Sequence, residues 1–244
     1  MSTTTSSVFI VGASRGLGLA LTKRYLSQGR PVIAGCRAPE KAPELLALAN
    51  ESAALRIETI DIDVPASINA LAEKLNGIAL DLLIHAAGVF SGADGSLTAS
   101  DNDPSQRFGS IDPKAWLNVF RTNSIGPILV AEAFCGNLAT VPSKVIFLSS
   151  CMGSIARIRR EGDLAYRSSK AALNAAAKSL SVTLAKQKTI VACLHPGWVK
   201  TDMGGPDGDL APEESAASLA TVIQALTLDQ TGQFFNYDGQ CLPW

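Results

Sequence analysis

The stretch SVFIVGASRGLG, Ser7 to Gly18, joins an apolar run to three closely spaced glycines at positions 12, 16 and 18. The apolar run predicts a buried strand, and the residues after the glycines predict a helix. A strand that turns sharply into a helix presents unpaired backbone N–H groups and the positive end of the helix dipole, and glycine lets a ligand approach the backbone closely. A tight structural turn would use the same glycines, but the strand–turn–helix context favours a phosphate-binding turn.

Short apolar runs alternate with longer helical stretches along the rest of the chain. Because these runs show little polar alternation, they predict strands that are covered on both faces. The predicted strands are SVFIVG, PVIAGC, LRIETIDI, LDLLIHAAG, KVIFLSS and TIVACLHPG, with GQFFNYDG as a last strand. Helical stretches begin near Gly18, Pro39, Pro65, Pro113 and Asp163, and a final helix runs from about Pro212 to Leu226. The order predicts an α/β fold, a Rossmann-type doubly wound parallel β-sheet flanked by helices on both faces. We expect a single domain over 1–244 with a flexible tail at 1–7.

The composition limits the classes of partner and the location. The 244 residues are 47% hydrophobic and 18% charged, with a net charge of −1, as in an ordinary globular protein. Near-neutral charge without a long basic run argues against nucleic acid or an anionic membrane as a partner. The N-terminus lacks the pattern of a secretory signal, and no apolar run approaches the ~18 residues of a membrane span. Five scattered cysteines without metal-ligand spacing predict reduced thiols, no metal site and a cytoplasmic location.

The segment YRSSK places Tyr166 and Lys170 four residues apart in an alanine-rich, helix-prone run. That spacing puts both side chains on one face of a helix, with an ammonium close to a phenol. Alone, the pair is more typical of a helix surface than of a catalytic site. Near pH 7 a phenol with an ordinary pKa of ~10 is a poor proton carrier, so a neighbouring cation would favour the phenolate and lower the pKa.

The glycine spacing G-x-x-x-G-x-G, together with YRSSK, resembles the classical short-chain dehydrogenase/reductase family over the whole chain. The segments HPGWVKTDMGG and YDGQCLPW resemble most the C-factor-like and sniffer-type carbonyl reductase branch of that family. The resemblance implies four catalytic residues, Asn123, Ser150, Tyr166 and Lys170. It implies that Tyr166 is the acid and base and that Ser150 stabilises the substrate oxygen. It also implies that Lys170 binds the cofactor ribose and, together with the positively charged nicotinamide ring, lowers the Tyr166 pKa.

Two of these assignments have alternatives. Ser150 is preferred to Ser149 because the CMG that follows fits the serine-x-x-glycine pattern of the family. The resemblance assigns Asn123 to a helix distortion that holds a water in a proton relay, whereas a core asparagine bonded only to the backbone is the other interpretation. The gap of sixteen residues between Ser150 and Tyr166 is expected to shape the substrate pocket.

The charge near the adenosine ribose predicts which nicotinamide cofactor binds. Cys36 stands where an acidic residue would favour NAD(H), with Arg37 beside it, and Arg15 lies inside the glycine turn. Arginines attract a 2′-phosphate, so we expect NADP(H) to be preferred over NAD(H), unless these arginines are only solvated surface residues. The cofactor-binding residues implied by the resemblance are Gly12, Ser14, Arg15, Gly16, Leu17, Gly18, Arg37, Asp61, Ile62, Ala87, Gly88, Tyr166, Lys170, Pro196, Gly197, Val199 and Thr201. The segment HAAG departs from the NNAG of the family, and His85 is expected to fill a structural place.

The leading hypothesis is an NADP(H)-dependent oxidoreductase that interconverts a ketone or aldehyde and an alcohol. The alternatives are a cofactor-binding sensor or C-factor-like signalling protein with little turnover, and an epimerase or dehydratase on the same fold. The expected partners are a small-molecule carbonyl or alcohol substrate and a second copy of the chain, in a homodimer or homotetramer formed through the helices at 113–138 and 163–185. Pocket walls are expected from Phe90 onward, from 152–160 and from a mobile lid after Thr201. Four arginines would suit an anionic substrate, or they belong to a solvated charged loop: Arg157, Arg159, Arg160 and Arg167.

Overall fold

Seven parallel strands form one sheet in the computed structural model, which describes residues 6–91, 106–138 and 143–244. The strands are β1 Ser7–Val11, β2 Val32–Cys36, β3 Leu55–Thr59, β4 Leu80–His85, β5 Lys144–Leu148, β6 Ile190–His195 and β7 Gln233–Asn236. Their order is β3-β2-β1-β4-β5-β6-β7. The chain therefore builds the sheet outward from β1 in one direction and then crosses to β4 to build it in the other. A crevice is expected outside the carboxyl ends of β1 and β4, where this order reverses.

Seven α-helices connect these strands within the described ranges. Their bounds are α1 Gly16–Ser27, α2 Pro43–Glu51, α3 Pro65–Lys74, α4 Pro113–Phe120, α5 Gly126–Ala133, α6 Leu164–Leu184 and α7 Pro212–Ala225. The predicted helix near Pro39 is only a 3₁₀ turn over Pro39–Lys41, and α2 begins at Pro43. The residue before a proline is disfavoured in the α conformation, so the turn stops at Ala42, whose φ is −118°.

The predicted helix at 113–138 is divided into four parts. A π-helical turn, Arg121–Ile125, separates α4 from α5, and a second 3₁₀ turn follows at Cys135–Asn137. Extra residues in a single turn of this kind are often found at functional sites.

Alternate residues of β1 pack on opposite faces of the sheet. Val8 and Ile10 belong to the core beneath α1, α2 and α7, whereas Phe9 and Val11 belong to the core beneath α3, α5 and α6. On the second face the ring of Phe9 lies 4.8 Å from that of Phe134. Each face of the sheet is therefore a dry apolar layer covered by helices, and the predicted doubly wound architecture is confirmed.

Two further sequence features have counterparts in the structure. All five cysteines are unpaired. No helix of the described ranges combines the length and apolarity needed to cross a bilayer. The predicted flexible tail at 1–7 is too long, because Ser7 belongs to β1. Residues 1–5 of that tail, and residues 92–105 of the predicted long loop, lie outside the described residues.

Candidate active site

A cleft of about 810 Å³ lies at the carboxyl ends of the central strands. This volume is within the range of cofactor and substrate pockets. Every predicted cofactor-binding residue lines the cleft except Asp61. Three of the four predicted catalytic residues also line it, and Asn123 lies behind them. The structure therefore brings together residues that are more than 150 positions apart in the sequence.

The glycine turn after β1 leaves no room for side chains. Gly12 has a φ of 89°, and a Cβ at this position would lie 2.5 Å from the backbone nitrogen of Ala87. A Cβ at Gly18 would lie only 2.1 Å from the carbonyl oxygen of Gly12. Helix α1 begins inside the turn at Gly16, and its first N–H groups lack intrahelical acceptors. This cradle fits the pyrophosphate of a dinucleotide, which needs a close backbone approach and a helix N-terminus.

Tyr166 and Lys170 occupy one buried corner of the cleft. Both lie in α6, one turn apart, and their relative exposures are 7% and 4%. The Lys170 ammonium donates to the Leu148 carbonyl at 3.0 Å and lies 5.9 Å from the centroid of the Tyr166 ring. A Cβ on Gly153 would lie 2.7 Å from the Lys170 Cβ, so this glycine lets the 3₁₀ turn Cys151–Gly153 pack directly on α6.

The protonation of this corner depends on its burial. Burial raises the pKa of Tyr166 to about 12, opposed by a hydrogen bond with Ser150. Burial also lowers the pKa of Lys170 to about 8. In the chain without cofactor, burial outweighs the effect of Lys170 on the phenol pKa. The lowering of that pKa by Lys170 and a bound nicotinamide together stays a prediction. Tyr166 is a protonated phenol at neutral pH, which is the form that donates a proton.

Ser150 and Ser149 point to different partners. The Ser149 hydroxyl donates to Asn174 Oδ1 at 2.6 Å, inside the fold. The Ser150 oxygen accepts the backbone N–H of Met152 at 3.1 Å, and its hydroxyl is the one that reaches Tyr166. An oxygen that already accepts a backbone N–H keeps its own O–H available as a donor to a ligand.

Asn123 lies in the π-helical turn and is fully buried. Its Oδ1 accepts the Val89 N–H at 2.8 Å, and its Nδ2 donates to the Val89 carbonyl at 2.8 Å and to Ser169 Oγ at 3.1 Å. This side chain therefore fixes the segment after β4 against α6. Gly88 allows this close packing. A Cβ at this position would lie 3.3 Å from Asn123 Oδ1 and 3.5 Å from Lys170 Nζ.

After β3, the acidic residue that lines the cleft is Asp63 and not Asp61. The Asp61 carboxylate accepts the Asp63 N–H at 3.0 Å, within its own turn. The Asp63 carboxylate accepts the Thr122 hydroxyl at 2.9 Å, and both residues line the cleft. The sequence carried a signal for this contact, since the repeated acid in DID offers two candidates at the end of β3.

The two arginines predicted to select the cofactor are exposed on the rim. Cys36 and Arg37 line the cleft at the end of β2, and Cys36 is buried. The Arg15 guanidinium lies 3.1 Å from the carboxylate of Asp202, in the predicted lid. This ion pair joins the glycine turn to the segment after β6, and Thr201 contacts the same turn, with its Cγ2 3.4 Å from the Cβ position of Gly16. Both partners of the ion pair are more than half exposed, so it is readily exchanged for another anion.

Sequence reasoning missed two supports of Tyr166. The Phe90 ring lies 4.6 Å from the Tyr166 ring. The Gln106 side chain donates to the Phe90 carbonyl at 3.0 Å and accepts the Tyr166 N–H at 2.9 Å, which satisfies an N–H in the first turn of α6. Gln106 comes from a Gly-, Ser- and Asp-rich loop in which local composition offers no signal for a buried contact.

His85 ends β4 behind the cleft, with 2% of its surface exposed. Burial, and then the charge of Lys170, lower its pKa to about 3. Its Nε2 has no hydrogen-bond partner within the described part of the chain. A neutral, buried imidazole of this kind favours a structural role for His85 over an acid–base role.

Comparisons with known proteins agree with this arrangement. The model of the family described as short chain dehydrogenase matches residues 6–209. Among curated proteins, the C-signal of Myxococcus xanthus is 39% identical over 137 residues, which cover 56% of this chain and 82% of the relative.

Two solved structures extend the likeness over nearly the whole chain. The carbonyl reductase Sniffer of D. melanogaster has a TM-score of 0.87 at 33% identity, covering 98% of this chain and 99% of the other. The NADPH-bound carbonyl reductase from chicken fatty liver has a TM-score of 0.82 at 32% identity, covering 98% of both chains. The resemblance stated from the sequence, including its branch, is confirmed.

Proposed function

Because the chain belongs to the short-chain dehydrogenase family, we propose that it is an NADP(H)-dependent oxidoreductase that interconverts a ketone or aldehyde and the corresponding alcohol. One observation carries the proposal. Ser150, Tyr166 and Lys170 share a buried corner of a cleft whose other end is a glycine-rich turn that can take a pyrophosphate.

The cofactor would be held along the whole cleft. The glycine turn would take the pyrophosphate, Pro196 to Thr201 the nicotinamide end, and Arg15 and Arg37 the 2′-phosphate. Cys36 replaces the acidic residue that would repel that phosphate, which favours NADP(H) over NAD(H). The NADPH-bound state of a solved carbonyl reductase of the same fold supports this preference. When bound, the nicotinamide supplies or accepts a hydride.

The residues of the chain would handle the proton and the developing charge. The Ser150 hydroxyl would donate to the carbonyl oxygen as negative charge grows on it. Tyr166, protonated at neutral pH, would then give its phenolic proton to that oxygen. Lys170, with a pKa of about 8, holds a proton that can be passed on near neutral pH. We assign Asn123 to the proton relay, in which it would hold a water that links Lys170 to solvent.

The function is tested first by cofactor titration and then by turnover. NADPH and NADH are titrated separately into the protein, and oxidation of the preferred cofactor is followed with a panel of ketones and aldehydes. We expect tighter binding of NADPH and oxidation that depends on the carbonyl compound. Tighter binding of NADH would contradict the roles of Arg15 and Arg37 and leave those of Tyr166 and Lys170 intact.

The role of the phenol is tested with a matched pair of variants. Tyr166→Phe should retain NADPH binding and lose turnover by several orders of magnitude. Tyr25→Phe is the control, because the Tyr25 hydroxyl is also buried, lies in α1 beneath the other face of the sheet and makes no hydrogen bond to any described residue. Similar turnover of Tyr166→Phe and the wild type would contradict the proposal.

A second candidate is a cofactor-dependent signalling protein with little turnover. The likeness to the C-signal favours it, although that match covers just over half of this chain. Tight NADPH binding without reduction of any carbonyl compound on a broad panel would support it over the reductase.

We also propose assembly into a homodimer or homotetramer. Leu117 and Ile125 are exposed on the α4–α5 segment and Val182 is exposed on α6, so the two long helices present apolar side chains without cover. Light scattering at micromolar concentration should give a multiple of 25.5 kDa, and a species of 25.5 kDa alone would contradict the proposal.

The five unpaired thiols suit a reducing compartment, and we propose the cytoplasm as the location of the protein.

A further inference from the structure

One wall of the cleft carries four guanidinium groups. Arg157, Arg159 and Arg160 lie in the segment between the Cys151–Gly153 turn and α6, and Arg167 directly follows Tyr166. The segment after β5 and the start of α6 lie on the same side of β4 as Ser150 and Tyr166. The arginines assigned to the 2′-phosphate follow β1 and β2, on the other side of β4. The cofactor therefore does not account for this wall.

Two of these guanidinium groups lie close to a carboxylate, and the other two do not within the described residues. The carboxylate of Asp163 lies 3.3 Å from Arg160 and 3.6 Å from Arg167. Within the described ranges, Arg157 and Arg159 form no ion pair, and the one hydrogen bond of the Arg159 side chain goes to the neighbouring Ile158 carbonyl. Two of the four guanidinium groups, those of Arg157 and Arg159, therefore line the cleft without a carboxylate partner among the described residues.

Arg157 also acts on the reacting half of the cleft. Burial, and then the positive charge of Arg157, lower the pKa of His195 to about 4. His195 ends β6 and lines the cleft beside Pro196. Arg157 is exposed, and its positive charge acts on the end of β6, at the nicotinamide end of the cleft.

Arg167 is enclosed with an unmet donor. Only 11% of its side chain is exposed, and its Nε has no hydrogen-bond partner within the described residues. A buried guanidinium N–H without an acceptor is costly, and a ligand oxygen would remove that cost.

Asp163 is held in a conformation that serves these arginines. It stands at the N-cap of α6 with a φ of 56°, in the left-handed region, and its side chain does not cap the helix. An aspartate at this position commonly accepts a backbone N–H. Here its carboxylate contacts two guanidinium groups and fixes them beside the Tyr166 turn.

We infer that the natural substrate is a carbonyl compound that carries an oxyanion group, such as a carboxylate, which the Arg157–Arg159 segment and Arg167 bind while Ser150 and Tyr166 contact the carbonyl oxygen. Phe90, Met152 and Trp198 line the same cleft and offer apolar surface to the body of the molecule between these two groups. Planar guanidinium groups bind carboxylates through two parallel hydrogen bonds, which gives both affinity and orientation. This inference rests on the proposed reductase function.

The test compares 4-formylbenzoate with its methyl ester, a pair that differs in the charge of one group. Their dissociation constants are measured by calorimetry on the NADP⁺-loaded protein, in which no hydride is available, and their turnover is measured separately with NADPH. We expect the carboxylate to bind at least about tenfold more tightly than the ester, as charged hydrogen bonds provide. The ratio should fall as salt is raised, because the wall is partly open to solvent.

The double variant Arg157→Gln, Arg159→Gln should lower this ratio by at least about threefold, with the remaining preference due to Arg167. Lys186→Gln, which removes a positive charge from the exposed 3₁₀ turn after α6, should keep the preference. Retained NADP⁺ binding shows that each variant is folded. Equal binding of acid and ester by the wild type, or an undiminished preference in the double variant, would overturn the inference. A clear preference without turnover would support the anion site and contradict the reductase function, so the two failures are distinguishable.

Discussion

Replacing Lys170 with methionine should separate the stability of the protein from its activity. The ammonium is enclosed at the end of β5, with the Leu148 carbonyl as its protein acceptor, and burial lowers its pKa from 10.5 to about 8. Between these two pH values the unfolded chain binds a proton at this lysine and the folded chain does not. The free energy of unfolding contributed by Lys170 therefore rises with pH across this window and is lowest below pH 8.

The magnitude follows from the size of the pKa change. At about 1.4 kcal/mol for each pH unit, a charged Lys170 costs the fold about 3 kcal/mol at neutral pH. Methionine has a similar shape and no charge, so it removes this cost. It also leaves the Leu148 carbonyl without its donor, which costs about 1–2 kcal/mol. We expect Lys170→Met to be more stable than the wild type by about 1–2 kcal/mol at pH 7 and to lose that advantage by about pH 10.

The assay is urea unfolding of both proteins from pH 7 to pH 10, with turnover measured in parallel. The informative quantity is the difference in unfolding free energy between variant and wild type, because groups common to both cancel. One such group is Cys193, whose pKa burial raises to about 12 and which would otherwise reduce stability at alkaline pH. Lys178→Met, at an exposed position of the same helix, is the control for loss of a lysine.

A difference that falls by about 1.4 kcal/mol per pH unit above pH 8 would support the reasoning. A difference that does not change with pH would refute it, because the ammonium would then carry no burial cost. Turnover should be lost in Lys170→Met at every pH, whatever its stability.

Three further predictions concern the cofactor and the core. Asp202→Asn should free Arg15 from its ion pair and tighten NADPH binding by about two- to fivefold with little effect on NADH, whereas an equal effect on both would remove Arg15 from 2′-phosphate recognition. Gly18→Ala should weaken binding of either cofactor at least about tenfold, because its Cβ would collide with the Gly12 carbonyl oxygen. Gly136→Ala is the control and should bind as the wild type does, because a Cβ there meets no atom of another segment within 4 Å. The folded pKa of His85, about 3, lies below its unfolded value of 6.5, so stability falls at about 1.4 kcal/mol per pH unit as the pH drops below 6.5. Denaturation of His85→Asn between pH 6 and pH 4 should show a shallower loss, and an unchanged slope would show that this imidazole is not the acid-sensitive group.

The fold was predictable because the relevant signals are local. Residues 7–18 combine a buried strand, a turn that only glycine allows and the start of a helix, and the same apolar run recurs before each crossover. Strand order and the two-sided core then follow from general rules of parallel sheets. Pro113 and Pro212 marked helix starts correctly, whereas Pro39 did not, because a second proline at 43 redirected the chain.

The site was less predictable where it depends on contacts between distant segments. Sequence order pointed to Tyr166, Lys170 and Ser150, but nothing local indicated that Gln106 would receive the Tyr166 N–H. The protonation of the pair was also inaccessible, because it depends on how deeply α6 is covered and not on the four-residue spacing. The arginine wall shows the same limit, since the sequence offered no means to decide between a solvated loop and a cleft lining.

The central claim is tested most directly by following the transferred hydrogen. NADPH deuterated at C4 of the nicotinamide, on either face in separate experiments, is incubated with the protein and an aldehyde from the panel, and the alcohol is analysed by mass spectrometry and NMR. The account predicts one deuterium on the carbinol carbon from one of the two labelled forms, and no labelled alcohol from Tyr166→Phe. NADPH oxidation that delivers no deuterium to the alcohol, or equal labelling by the variant, would contradict it.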